Sequence, residues 1–230
     1  MKIFTKAITF ALIFTAISIF AGEASAQGVQ NEILRRMDAH NKALTSLRAD
    51  IKRVFENAQI GTTETNNGTL VYLPGKNQRN PYARLDWKSP EEIMTVGNKK
   101  YMIYRPRLKQ AITGSTDKVP KGGNDVPALE FMNMSSKELR ANFDVGILSE
   151  NSTLSNGTNT VQIKLTPKKT SNYKHAEVWV DSDGMPIQVK IVAKNNDTTT
   201  ILLTNLKRNG QINTSEFVYK LPKGTEIVKS

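Results

Sequence analysis

Acid–base chemistry in this chain would fall to two histidines, His40 and His175, and to carboxylates such as the adjacent Glu91 and Glu92. An imidazole titrates near neutrality, but it needs a nucleophile, a second ligand or an orienting partner within reach before it can act. His40 falls in an apolar stripe at helical spacing, where an imidazole sits at the edge of a core. His175 precedes a strand, between Lys174 and Glu177. Neither neighbours a Ser-x-Gly elbow or a second histidine at ligand spacing, and the chain has no cysteine. Glu91 and Glu92 are consecutive, so they point apart rather than across a substrate. Gly122-Gly123 lacks the lysine–serine pair of a phosphate loop. Asp181-Ser182-Asp183-Gly184 lacks the long acidic loop of an EF-hand and reads as a hairpin turn. The expectation is a protein without catalytic residues, metal or cofactor, so its function rests on surfaces and cavities.

The N-terminus bounds the compartment. Lys2 and Lys6 form a charged start, an apolar run spans Ala7 to Ala21, and Ala24-Ser25-Ala26 gives a small-x-small cleavage site. Residues 1–26 are therefore expected to be a cleaved export signal. The apolar run is shorter than the roughly 20 residues that a membrane-spanning helix needs. Without cysteine the mature chain, 27–230, cannot be lipidated at an N-terminal thiol or held by disulfides, so it should be soluble and stabilised by its core. The formal charge is +11. The lysines from Lys164 to Lys194 alternate with apolar residues, which suits a solvated strand face rather than a nucleic-acid patch. Basic and aromatic residues also mix at Tyr82–Trp87 and Lys99–Arg107, but export argues against a nucleic-acid partner.

Periodicity supplies the elements. Val29, Ile33, Met37, His40 and Leu44 recur at steps of three and four and predict a helix from Gln27 to about Thr45. Alternation then predicts a strand from Leu47 to Phe55, and Asn66-Asn67-Gly68 predicts a hairpin turn. Short strands follow at Thr69–Leu73, Ala83–Trp87, Glu92–Val96, Lys100–Tyr104 and Leu108–Ile112. Gly114 to Val126 reads as a loop. Pro127 can open a helix over Ala128–Met132, and Ser135-x-x-Glu138 resembles a capping box for another. Four further strands centre on Ile163, Val178, Val189 and Ile201, with Asn209-Gly210 as a closing hairpin turn. The outcome is one α+β domain, mainly an antiparallel meander of about ten strands.

Apolar excess in the first half of the sheet bears most on function. Lys100-Tyr101-Met102-Ile103-Tyr104 is apolar on both faces, as are Ile93-Met94 and Leu70-Val71-Tyr72-Leu73. A sheet with one wet face alternates, so two apolar faces need two covers. Either protein covers both, or the sheet curves around an apolar cavity that a ligand fills.

At these residues the chain resembles the LolA-type periplasmic carriers of outer-membrane lipoproteins. The likeness runs through Gly68-Thr69-Leu70-Val71-Tyr72, Pro81 to Leu85-Asp86-Trp87, and the hairpin Val96 to Tyr104. It continues with Leu165-Thr166-Pro167-Lys168 and closes with Phe217 to Ile227. The resemblance implies an incomplete β-barrel of ten to eleven strands, with helices forming a lid over an apolar cavity that holds acyl chains. It implies a carrier, not an enzyme, that works in the periplasm of a Gram-negative bacterium as a soluble monomer. Its partners would be acylated lipoproteins, an inner-membrane lipoprotein-releasing transporter and an outer-membrane acceptor. A carrier or sensor of another lipid or amphiphile is the alternative. On this reading Leu70, Tyr72, Leu85, Trp87, Met94, Met102, Leu129, Phe131 and Met132 line the cavity or its lid. The carriers place an arginine directly before the proline that leads into the Trp strand. Here Asn80 stands there, so lid gating falls to Arg79 or Arg84, or is absent.

Overall fold

The computed structural model describes residues 27–75, 80–116, 131 and 134–229. The export signal, Arg79, Leu129, Met132 and most of the loop and first helix expected between 114 and 132 lie outside the described residues.

Helix α1 spans 27–43. It buries Ile33, Leu34 and Met37, with His40 and Asn41 on the same stripe, as the three-and-four spacing dictates. Twelve strands then form one open, unclosed sheet. They are β1 (Leu47–Asn57), β2 (Thr62–Leu73), β3 (Tyr82–Lys88), β4 (Glu91–Gly97), β5 (Lys100–Arg105), β6 (Gln110–Ser115), β7 (Phe143–Thr153), β8 (Asn159–Pro167), β9 (Tyr173–Val180), β10 (Pro186–Ala193), β11 (Thr198–Arg208) and β12 (Glu226–Lys229). Helix α2 (Ser136–Asn142) precedes β7. Its capping box is formed as expected: Ser135 accepts from the Glu138 amide, and Glu138 accepts from the Ser135 amide.

The strand order is β12-β6-β5-β4-β3-β2-β1-β11-β10-β9-β8-β7. All neighbours pair antiparallel except β12, which adds to β6 in parallel. Two strands exceed the expected ten. In β7 burial alternates from Phe143 to Glu150, and the register shifts after Ile147 and again after Ser149. β12 has only four residues, all exposed.

Two expected turns are corrected. Asn66-Asn67-Gly68 lies inside β2, and the turn comes earlier, at 58–61, with Gly61 at φ 66°. Gly68 is needed for packing instead: a Cβ there would stand 2.4 Å from the Asp86 carbonyl oxygen and 3.0 Å from the Trp87 ring. Asn209-Gly210 ends β11 without starting a hairpin. The Asn209 side chain accepts from the Thr45 amide at 2.8 Å, and its own backbone amide donates to the Ser46 carbonyl, pinning the strand end to the α1–β1 link. The Asp181–Gly184 turn is formed, with Asp181 accepting from the Met185 and Asp183 amides and paired to Arg208 at 2.5 Å.

The helices lie on one face, here the inner face. α1 packs over the β9–β10 turn so closely that a Cβ on Gly184 would meet the Arg36 backbone at 2.3 Å. Asp38 of α1 accepts from both the amide and the hydroxyl of Ser136, joining α1 to α2. The principal core merges the α1 stripe with residues of β1–β4 and β7–β11.

The outer face of β3–β6 has a different cover. After β11 the chain crosses back as a strap, 213–221, built on a 3-10 turn (Thr214–Phe217) capped by Asn213 and Glu216. Phe217 meets Tyr82 at 5.5 Å between ring centroids, and Tyr219 meets Tyr104 at 5.5 Å. A second small core of Ile93, Tyr104 and Ala111, with Met102, Tyr219 and Leu221 packed on it, lies beneath. The doubly apolar β4 and β5 therefore receive protein from both sides: the principal core on one, the strap on the other.

Candidate functional site: the inner apolar face

Register decides which residues share this face. The two-residue turn Asn98-Lys99, with φ of 51° and 59°, pairs Gly97 with Lys100, the geometry of a tight hairpin. Counting back from it, Met94 pairs with Ile103, which in turn faces Ile112. Leu85 pairs with Met94 and Leu70, and Leu70 with Ala49. One inner row is thus Ala49, Leu70, Leu85, Met94, Ile103 and Ile112. A second row joins Leu47, Tyr72, Ala83, Val96 and Tyr101. Trp87 stands in a third row beside Gly68, and the Arg53 guanidinium lies over its ring, 5.0 Å from the centroid.

Of the residues expected in the cavity, Leu70, Tyr72, Leu85, Trp87, Met94 and Phe131 are all buried in the principal core. Phe131 is carried to it from outside the sheet and contacts the rings of Phe143 (5.7 Å) and Tyr173 (6.4 Å). Met102 is corrected: it pairs with Thr95 on the outer face and packs under the strap. Tyr101 and Ile103 take the inner positions instead. The apolar run on both faces hid this parity, although the Asn98-Lys99 turn could have set it.

Arg84 is also corrected. It lies on the outer face, where it pairs with Asp86 at 2.9 Å, donates to the Glu216 carbonyl at 3.0 Å and stacks over Tyr219 at 5.6 Å. It holds the strap and faces away from the helices, on the side of the sheet opposite the expected lid. The strap is also tied by the Arg48–Glu216 pair at 2.8 Å, which holds the Glu216 carboxyl below its ordinary range.

His40 lies on the buried stripe of α1 and His175 on β9. Burial pushes the His40 imidazole below its ordinary value, the Arg208 charge adds to this, and Asp181 and Asp183 oppose it. His40 Nε2 is buried without a hydrogen-bond partner. His175 meets Glu177 at 3.3 Å.

The arrangement is a continuous apolar face on an unclosed sheet, crossed by helices that contact it mainly through side chains. Residues 44–220 match the family model described as outer membrane lipoprotein carrier protein LolA. The chain belongs to this family. Among solved structures, it is similar to a conserved uncharacterized protein of Thermus thermophilus, with a TM-score of 0.55 and 12% identity over 87% of this chain and 99% of that one. It is also similar to the MucA/MucB complex structure of Pseudomonas aeruginosa, with a TM-score of 0.50 and 12% identity, covering 82% of this chain and 60% of that one. A LolA superfamily protein, NE2245 of Nitrosomonas europaea, matches at a TM-score of 0.42 and 10% identity over 82% and 97% of the two chains. A search of curated proteins finds no match. The family match and the two stronger structural likenesses establish the LolA-like fold. No helix among the described residues is long and apolar enough to cross a membrane.

Proposed function

We propose that this chain is a periplasmic carrier that covers the acyl chains of lipoproteins on its inner face and passes them from an inner-membrane transporter to an outer-membrane acceptor. The observation that carries this reading is the unbroken apolar row from Ala49 through Leu70, Leu85 and Met94 to Ile112, on an open sheet, in a member of a lipoprotein-carrier family. Acyl chains would enter among Leu70, Tyr72, Leu85, Trp87, Met94 and Phe131. The protein would act by binding, without a chemical step.

The energetics favour such a design. Each buried methylene is worth about 0.8 kcal/mol, so one sixteen-carbon chain resists transfer to water by roughly 12 kcal/mol. A multiply acylated protein cannot cross an aqueous space at a useful rate unless those chains are covered. Release requires that the covered state be only modestly favoured over the open one. α1 and α2 meet this need because they touch the sheet through side chains and a few polar links, such as Gln30 donating to the Val145 carbonyl of β7, whereas the strands are tied by continuous backbone ladders.

A photo-crosslinking amino acid placed at position 94 or at position 102 tests the reading. A triacylated lipopeptide should crosslink to position 94 and not to 102, since the two lie on opposite faces. Crosslinking at 102 alone, or at neither while the lipopeptide binds, would refute it.

A further inference from the structure

On the face opposite the helices, the strap does not close completely on the sheet. It leaves a groove of about 960 Å³, lined by the outer face of β3–β6, the strap and Lys229 of β12. That volume lies within the ~300–1,000 Å³ typical of small-molecule sites. Its chemistry is divided. Met102, Val218, Tyr219 and Leu221 give one part an apolar wall, and Val218 is 68% exposed although it belongs to the strap. Lys99, Lys100 and Lys229 supply cations, and hydroxyls of Thr95, Thr113 and Thr214 stand between.

The charge is one-sided. No aspartate or glutamate lines the groove among the described residues. None of the three lysines makes an ion pair among the described residues, whereas Arg48, Arg84 and Arg105 on neighbouring strands each hold a carboxylate. The backbone aims these lysines. Lys100 shares the outer face with Met102, because residues two apart on a strand point the same way. Lys229 pairs in register with Thr113, itself the register partner of Met102. Lys99 occupies the Asn98-Lys99 turn, which is fixed by the Tyr82 hydroxyl donating to Asn98 at 2.7 Å and by the Thr116 amide donating to the Lys99 carbonyl. Solvated lysines beside an apolar wall match one ligand chemistry: an anion joined to an alkyl chain.

We propose that this groove is a second ligand site, separate from the inner face, that takes a single-chain amphiphile with a phosphate or carboxylate headgroup. The headgroup sits between Lys99, Lys100 and Lys229, and the chain lies along Met102, Tyr219 and Leu221 beneath Val218. The site does not depend on the carrier reading, since its residues point away from the helices.

The test is NMR of the full mature chain labelled at methionine methyls, titrated with dodecyl phosphate below its micelle concentration. The Met102 methyl should shift saturably. Lys100→Glu and Lys99→Glu should each weaken the response at least about fivefold, the scale expected when an exposed charge attraction of up to ~1 kcal/mol becomes a repulsion. Val218→Glu, a change at an exposed position, should weaken it as well, and added salt should do so in the unmodified chain. Four results would overturn the proposal. One is an unshifted Met102 at millimolar dodecyl phosphate. Another is an equal response to dodecyl maltoside, which would leave the lysines idle. A third is an equal response to inorganic phosphate alone. The last is sedimentation with phosphatidylglycerol vesicles while monomeric amphiphile leaves Met102 unmoved, which would make this face a membrane-docking surface.

Discussion

Replacing Leu85 with alanine distinguishes a sealed core from a cavity that accepts alkyl chains. Leu85 is 0% exposed and stands between Leu70 and Met94 in the inner row. A buried leucine cut to alanine costs about 2–5 kcal/mol, counting lost transfer energy and the space left behind. At about 3 kcal/mol, and with roughly 2–4 °C per kcal/mol for a chain of this size, the unliganded melting temperature should fall by about 6–12 °C. The removed methylenes are worth about 0.8 kcal/mol each, so an alkyl chain filling their place recovers up to about 2 kcal/mol. A lauroyl probe at saturating concentration should therefore stabilise Leu85→Ala more than the unmodified chain, by about 4–8 °C. Thermal melts followed by circular dichroism, with and without probe, measure both quantities. A probe that stabilises neither protein, or the unmodified chain more strongly, would show that Leu85 belongs to an ordinary core.

Further outcomes follow from particular contacts. Gly68→Ala should cost about 1–3 kcal/mol in urea melts, because its Cβ collides with the Asp86 carbonyl and the Trp87 ring; an unchanged midpoint would mean that β3 shifts freely. Lowering the pH from 7.5 to 5.5 should reduce stability through His40. Its folded pKa is depressed from 6.5, so the unfolded chain binds more protons in that window, and the stability present above about 6.5 is lost below it. His40→Gln should flatten that slope, and an unaltered slope would assign it elsewhere. Arg84→Leu should loosen the strap, seen as faster amide exchange over 213–221, while leaving acyl-probe release from the inner face unchanged; altered release with an unaltered strap would restore Arg84 to the lid.

Much of this architecture was legible in periodicity, because one face of each strand and one stripe of α1 meet the same core. Ile33 and Met37, then Ile163 and Leu165, are spaced by the helix and strand repeats that bury them. The face of β5 was not legible. Tyr101, Met102, Ile103 and Tyr104 are all apolar, so alternation carries no sign there, and only the register set at Asn98-Lys99 separates Met102 from Ile103. The strap explains that ambiguity. Its contacts join Tyr219 to Tyr104 and Phe217 to Tyr82 across more than a hundred residues of chain, and no local pattern announces them. Gly68 misled for a related reason: a glycine needed for close approach to a tryptophan looks, in sequence, like one needed for a turn.

The central claim is that the inner face carries acyl chains of lipoproteins. Native mass spectrometry of the protein, gently purified from its own host, tests it most directly. The account predicts a complex whose added mass is an acylated lipoprotein, lost on exchange with excess triacylated lipopeptide. A chain that emerges only bare, and takes up no lipopeptide or alkyl probe, would contradict it; a bound free lipid in place of a lipoprotein would contradict the cargo assignment while keeping the cavity.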